Sequence, residues 1–288
     1  MQESIYVEYK SFLLSMAYRL LGSKTDAEDI VHEVMIRIRD TDLTQISNLK
    51  SYLTRSVTNS CLNYLKSAKI RREQYTGPWL PEPNVSYIHK AKEDPKDILV
   101  HREEISYALL VSMEQLDPVE RAVFILREAF SYEYKEIANL LNKSEASCRQ
   151  ILSRSKRKLK VDQMDEFVSF DEEDHFIQTF LDGSKIGNFD EFIRLLTDQA
   201  TLTTDGGGKV RAALRPIVGR KRILALFNGI SSKGIFEGGV ESVRINGNRG
   251  VILTMESSVS MVICFKVNIE RMIEHIYVIS NPDKLKHL

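Results

Sequence analysis

The chain is poor in the residues that staple a fold or anchor it in a membrane. Its three cysteines, Cys61, Cys148 and Cys264, lie far apart among apolar or helical neighbours, a pattern that excludes a disulfide framework or a cysteine-based metal site. No apolar stretch reaches the roughly 18 residues that a membrane-spanning helix needs, and the first residues carry no apolar run of the signal-peptide type. A cytoplasmic protein without membrane contact is expected, so the sequons at Asn84 and Asn142 read as accidental. Net charge is lacking as well, since 40 basic residues meet 40 acidic ones. The balance conceals a bias: residues 1–160 hold 25 Lys and Arg against 22 Asp and Glu, or +3, which leaves 15 against 18, or −3, beyond them. A surface for a polyanion must therefore rest on local placement of charge. Tryptophan and proline are scarce, and the single Trp and four of the seven prolines fall between residues 76 and 97. With 288 residues, 43% of them hydrophobic, the chain has material for two or three domains with real cores.

What is present is, at first, helical. Phe12, Leu13, Met16, Ala17, Leu20 and Leu21 recur at helical spacing before Gly22-Ser23 stops the pattern. Asp26-Ala27-Glu28-Asp29 opens a second helix whose acids suit its dipole, with Ile30, Val31, Val34, Met35 and Ile38 as the buried stripe. A third helix follows Asn48 and turns Leu49, Tyr52, Leu53, Val57, Cys61, Leu62 and Leu65 inward. Its other side carries Arg55, Asn59, Asn63 and Lys66 and continues into Lys69, Arg71 and Arg72. Cations mixed with Tyr52, Tyr64 and Tyr75 suit melted DNA, where phosphates need charge and unstacked bases need aromatic faces. Thr76–Asp97 then reads as an extended, semi-rigid linker, in which Trp79 should dock against something. A helix over 98–113 leads to Asp117-Pro118-Val119-Glu120, a strong helix start, with Val119, Ala122, Val123, Leu126 and Ala129 buried behind it.

Ser131–Lys160 reads as a helix-turn-helix. Tyr134, Ile137, Ala138 and Leu141 share one face, Asn142-Lys143-Ser144 forms the turn and N-cap, and a second helix starts at Glu145. On that helix Cys148, Ile151, Leu152, Ser155 and Leu159 cluster on one side, while Arg149, Ser153, Lys156, Arg157 and Lys160 share another. Such a helix can neutralise phosphates and reach base edges in the major groove.

The order of DAEDIVHEV, the basic helix with NSCLNYLKSAKIRRE, a linker, LDPVERAVFILRE and YKEIANLLNKSEASCRQILSRSKRKL resembles a bacterial RNA polymerase sigma factor of the extracytoplasmic-function class. The resemblance implies two all-α sigma domains, residues 1–75 (domain 2) and 98–160 (domain 4, the helix-turn-helix), joined by the linker 76–97. It implies that Asp26, Glu28, Asp29, Ile30 and Glu33 grip the β′ clamp helices of core RNA polymerase and that Asp117–Glu128 approaches the β flap. Arg55, Asn59, Asn63, Lys66, Arg71 and Arg72 would meet the −10 element of promoter DNA. Ser147, Arg149, Gln150, Ser153, Arg154, Lys156 and Arg157 would read the −35 element.

Beyond residue 160 the period changes. After the acidic run Asp171–Asp174, helices are expected around His175–Leu181, Asp190–Leu196 and Lys221–Asn228. Strand signals follow at Ala200–Thr204, Gly239–Ile245, Gly250–Met255, Val259–Val267 and Met272–Ile279. Helices before a curved antiparallel sheet describe an α+β cone over 170–288 that resembles the SnoaL-like fold. WLPEP at 79–83, DGGGK at 205–209 and NPDKL at 281–285 together resemble the sigma subgroup with such a domain fused at its C-terminus. That resemblance implies a regulatory contact involving Trp79, Pro81, Glu82, Asp205, Gly207, Lys209, Asn281, Pro282, Asp283 and Lys284, with no separate anti-sigma factor. No cofactor or metal is implied, although a small ligand could sit in the cone. Two alternatives compete: a ligand-sensing helix-turn-helix regulator, and a SnoaL-like enzyme using Asp205, Lys209, His175 or His275 fused to a DNA-binding part. The acidic second helix and the basic third helix favour a non-catalytic sigma factor.

Overall fold

The computed structural model describes residues 2–39, 41, 46–87, 105–160, 170–256 and 258–288. Helix α1 (Gln2–Leu21) ends where Gly22 takes φ +69° and returns its N–H to the Tyr18 carbonyl at 2.8 Å, a conformation that glycine adopts without a Cβ penalty. Helix α2 (Lys24–Arg39) starts two residues before the acidic run, because Ser23 Oγ accepts from the Asp26 N–H at 3.1 Å and serves as its cap. Helix α3 (Leu49–Glu73) is capped by Asn48, whose Oδ1 accepts from the Ser51 N–H at 2.9 Å. These three helices bury Leu13, Met16, Leu20, Val31, Val34, Leu53, Val57 and Cys61.

Helix α4 (Tyr107–Ser112) passes through a 3₁₀ turn at Met113–Gln115 into α5 (Pro118–Phe124); the part of its expected span before residue 105 lies outside the described residues. Asp117 and Glu120 close a reciprocal capping box at the start of α5, as the sequence predicts. After Phe124 the helix widens into a π turn, Ile125–Ala129. Burial also departs from the expected stripe: Glu120–Leu126 is buried without interruption, whereas Val119 is half-buried and Ala129 exposed. The reason is position, since α5 packs against α1, α3 and the second helix of the helix-turn-helix. Helix α6 (Tyr134–Leu141) ends at Asn142 with φ +51°, and Ser144 caps α7 (Glu145–Leu159) by accepting from the Ser147 N–H at 3.2 Å. Leu140, rather than Leu141, is the buried leucine at the end of α6.

One compact unit comprises residues 1–74 and 112–161, so both expected DNA-reading helices belong to a single body. The other comprises residues 75–111 and 162–288. Among the described residues it holds all of α4 but Ser112, and the helices α8 (Phe170–Ile186), α9 (Asp190–Arg194), α10 (Arg220–Ser231) and α11 (Pro282–Leu285). Its strands are β1 (Val85–Tyr87), β2 (Leu196–Asp205), β3 (Ile217–Val218), β4 (Gly239–Ile245), β5 (Asn248–Met255), β6 (Ser258–Val267) and β7 (Ile273–Ile279), in the sheet order β1-β4-β5-β6-β7-β2-β3. Strands β4 to β7 form an antiparallel meander, but β2 lies parallel to β7, with Thr203 beside Tyr277. The expectation of a wholly antiparallel sheet is corrected here. A long connection through α10, and no hairpin, joins β2 to the meander, so no tight turn forces reversal. The Pro-rich segment departs from a plain linker too, because Val85–Tyr87 adds an edge strand against Ile245–Val243 of β4.

The sheet has a core on each face. On one, Phe180 meets the rings of Phe189, Phe192, Phe227, Phe236 and Phe265 at centroid distances of 5.1–6.0 Å, so aromatic side chains occupy the interior of the cone, the place expected for a small ligand. On the other, Val243, Ile245, Ile252, Val262, Tyr277 and Ile279 are covered by Leu80, Tyr107 and Leu285. Residues from the expected linker thus close the second face of the sheet.

Candidate nucleic-acid interface and regulatory node

In the helical unit, α7 turns Cys148, Leu152, Ser155 and Leu159 inward and leaves Arg149, Gln150, Ser153, Arg154 and Arg157 exposed, with Ser147 and Lys156 half-buried. Arg149 is held ready rather than loose: it pairs with Glu145 at 2.8 Å and lies 4.9 Å over the Tyr134 ring. Lys156 pairs with Glu128 at 2.7 Å, and Lys158 with Glu120 at 2.6 Å. Burial pushes the Glu120 carboxyl up, but the Lys158 hydrogen bond, the Asp117 amide and the charges of Lys158 and Arg154 outweigh it and leave the group below its usual value.

On α3, Arg55, Asn59, Asn63 and Lys66 recur at helical spacing and are all exposed. The side chains of Lys69, Arg71 and Arg72 lie outside the described residues. The opposite face is anchored, with Thr54 sharing a hydrogen bond of 3.0 Å with the Tyr132 hydroxyl. Arg55 Nη2 donates at 2.7 Å to Oδ1 of Asn142 in the turn of the helix-turn-helix. On α2, Glu28, Asp29 and Glu33 are exposed and Asp26 is half-buried, but Ile30 is only 7% exposed and packs in the core. A place for Ile30 among surface-gripping residues is corrected accordingly; it orients the acidic face instead of belonging to it.

One buried residue here is not legible in the sequence. Arg121 is 2% exposed, donates to the Met113 carbonyl and to the Leu20 carbonyl at 2.9 Å, and pairs with Glu114 at 2.7 Å. A guanidinium can be buried only when its donors are satisfied. This one ties the end of α1 to the segment ahead of α5.

In the second unit Asp205, at the end of β2, is a fully buried carboxylate with four donors. Its Oδ1 accepts from the Tyr75 hydroxyl at 2.6 Å and the Gly207 N–H at 3.0 Å. Its Oδ2 accepts from the Leu80 N–H at 2.9 Å and the Lys284 ammonium at 2.7 Å. Lys284 also donates to the Leu80 carbonyl and sits 4.1 Å from the Trp79 ring centroid and 5.2 Å from that of Tyr75, a cation–π arrangement. Asn281 caps α11 and donates from Nδ2 to the Tyr75 hydroxyl at 2.7 Å. Burial, then the Asp205 hydrogen bond and charge, push the Tyr75 phenol up.

The glycine run has a local cause. Gly207 has φ +61°, and a Cβ there would overlap the Asn281 amide. Lys209 reaches over the surface to Asp283 at 2.5 Å, and this bond with that of Lys286 draws the Asp283 carboxyl down. Pro81 and Glu82 are buried, and the Pro81 carbonyl accepts from the Tyr107 hydroxyl at 2.8 Å. The structure thus brings residues of all three quoted motifs together. It adds Tyr75, which by sequence alone groups with the aromatics facing DNA; no local signal connects it to a carboxylate 130 positions later. The remaining enzymatic candidates lie elsewhere: His175 is exposed on α8, and His275 on β7 shares a hydrogen bond with Thr201 while burial lowers its pKa.

Two family models fall on the helical elements just described: Sigma-70 region 2 on residues 5–70 and Sigma-70 region 4 on residues 106–159. The ECF RNA polymerase sigma factor SigJ of Mycobacterium tuberculosis is 33% identical over 256 residues, 87% of this chain and 80% of that protein. The probable ECF RNA polymerase sigma factor SigI of the same species is 29% identical over 191 residues, covering 65% of this chain and 64% of its own length. The crystal structure of SigJ superposes with a TM-score of 0.76 at 27% identity, covering 98% of each chain. The helical unit with its helix-turn-helix is therefore that of a sigma-70-type transcription initiation factor. More narrowly, the chain belongs to the extracytoplasmic-function RNA polymerase sigma factors, with an α+β SnoaL-like domain following the sigma regions. As a member of that family it works with core RNA polymerase on promoter DNA.

Proposed function

We propose that this sigma factor regulates itself through its C-terminal domain, which holds the segment joining regions 2 and 4 by way of Asp205. The supporting observation is the set of bonds from Tyr75, Leu80 and Lys284 to that one buried carboxylate. Elements named −10 and −35 lie roughly 25 base pairs apart, about 85 Å at 3.4 Å per step. In the helical unit, however, Arg55 of α3 bonds Asn142 of the helix-turn-helix directly. Both elements can be read together only after that unit opens, and opening draws on the length of the linker, residues 76–97. A segment pinned to Asp205 and paired into the sheet has less length to give. The node therefore restrains opening and takes the role that a separate anti-sigma protein plays elsewhere.

Within this reading, domain 2 spans residues 1–75, domain 4 spans residues 98–160, and the regulatory domain spans residues 170–288 together with the pinned linker. The exposed acids of α2 meet the β′ clamp helices, and Asp117–Glu128 meets the β flap. Arg55, Asn59, Asn63 and Lys66 serve the melted −10 strand, and α7 serves −35. The protein acts in the cytoplasm without catalysing a reaction, and the phenylalanine packing inside the cone supports a structural domain rather than a ligand chamber.

Run-off transcription with purified core polymerase tests the reading, comparing the full chain with Lys284→Ala and Asp205→Asn. Higher promoter-specific output from both variants is expected. Output equal to or below that of the unaltered chain, with folding intact, would sink it.

A further inference from the structure

Between Lys209 and Arg222 the sequence KVRAALRPIVGRKR holds six cations and no acid. Removing them from the 15 basic and 15 acidic residues of 170–288 leaves 9 against 15, so a purely positive strip lies on a domain that is otherwise −6. The strip is ordered along one edge of the sheet. The Ala213 N–H donates to Thr204 Oγ1 at 2.8 Å, Ile217 pairs with Leu202, and the Gly219 N–H donates to the Ala200 carbonyl at 2.8 Å. Residues 213–219 thus track β2 in reverse from Thr204 to Ala200, a run of about 13–17 Å at 3.2–3.4 Å per residue.

Two of the six cations are engaged, Lys209 with Asp283 and Arg220 with Asp198. Arg211, Arg215, Lys221 and Arg222 are all exposed, and none pairs with an acid among the described residues. Protection of a sheet edge explains Pro216 and one or two flanking charges. It does not explain a single-sign strip interleaved with exposed Val210, Leu214 and Val218. Nor does helix formation explain Arg220-Lys221-Arg222 in the first turn of α10, where the helix dipole disfavours cations. Charges kept against a local rule point to a partner.

We infer that the Lys209–Arg222 strip is a further DNA contact, binding the phosphate backbone without reading sequence. The polyanion on which this family acts is promoter DNA, and backbone contacts of this kind position a protein and add salt-dependent affinity. The inference goes beyond the self-regulation proposed above and does not depend on it, since no residue of the strip bonds the Asp205 carboxylate, and Lys209 alone approaches that node, through Asp283.

The test uses holoenzyme formed with the full chain. Its promoter binding is titrated against salt for the unaltered protein and for the variant Arg211→Gln/Arg215→Gln/Lys221→Gln/Arg222→Gln. The slope of log affinity against log salt is expected to fall by ~0.9 for each phosphate that is no longer neutralised, by the same amount whatever the flanking sequence. In parallel, a photocrosslinking benzoylphenylalanine replaces Leu214, which is 66% exposed, in a chain that keeps all six charges; crosslinks to DNA are expected. An unchanged slope in a folded variant, or crosslinks only to a polymerase subunit, would overturn the inference, the latter making the strip a protein-docking surface. Should the quadruple variant fail to fold, the crosslink decides alone.

Discussion

The Lys284 ammonium lies 2.7 Å from the Asp205 carboxylate, with the two side chains 7% and 0% exposed. A pair so withdrawn from water is stable only because each member satisfies the other, and removing one leaves an uncompensated buried charge that costs ~3–5 kcal/mol. Lys284→Met and Asp205→Asn should each destabilise the C-terminal unit, and their effects should not add. Asp205→Asn should cost more, because three further donors, from Tyr75, Leu80 and Gly207, also converge on the carboxylate. Urea unfolding of the single and double variants measures this. The chain's only tryptophan, Trp79, has its ring centroid 4.1 Å from the Lys284 ammonium and reports the node by its fluorescence. Additive losses would mean the two side chains act independently.

Gly207 offers a second way into the same node without altering a charge. Its φ of +61° is strained for a residue with a side chain, by ~1–3 kcal/mol, and an added methyl would also displace Asn281, the cap of α11. Gly207→Ala should therefore lower the unfolding midpoint and shift Trp79 emission. Gly229 lies inside α10, where an added methyl would meet nothing within 4 Å, and it should tolerate the same change with a small gain. Equal effects at the two sites would argue against the close approach at Gly207.

How far these features could be read from sequence depended on whether their causes were local. The Asp117-Pro118-Glu120 start of α5 and the Asn142-Lys143-Ser144 turn were legible because caps and turns are set by neighbours in the chain. Strands β4 to β7 were legible through β-branched runs bounded by turns. Strand β1 was not, since three residues beside prolines carry no alternation, and its pairing with β4 is decided some 160 positions away. The parallel placement of β2 was hidden for the same reason. The motifs at 79–83, 205–209 and 281–285 were associated through a family resemblance, but their chemistry was not visible. No pattern reveals that Tyr75 and Lys284 share one carboxylate, or that Arg121, in an apparently ordinary helix position, is 2% exposed.

The Glu120–Lys158 pair, at 2.6 Å, links α5 to the recognition helix and should make the helical unit sensitive to acid. The Glu120 carboxyl lies below its unfolded value of 4.5. The native state therefore binds this proton less readily than the unfolded chain does, and stability rises with pH across the interval between the two values. The contribution is present above about pH 4.5 and is lost as pH falls through the folded value. Glu120→Gln should flatten that part of the stability profile and lower stability near neutrality, as followed by helical circular dichroism between pH 3 and 7. An unchanged acid limb would assign the transition to other carboxylates.

The exposed cations of α7 should divide into readers and anchors according to their place along the helix. Arg149 lies near the N-terminal end, which enters the major groove in helix-turn-helix proteins, and its contacts with Glu145 and the Tyr134 ring fix the direction of its guanidinium. Arg149→Ala should remove ~1–3 kcal/mol of discrimination at one −35 base pair and relax preference there. Arg157, two turns further along and exposed, is placed for phosphate. Its alanine variant should weaken binding evenly over all sequences and reduce the salt slope by about one. Competition binding of the holoenzyme to promoters substituted singly through the −35 element separates the two effects. Altered base preference from Arg157→Ala, with none from Arg149→Ala, would mean that the recognition helix enters the groove in the opposite sense.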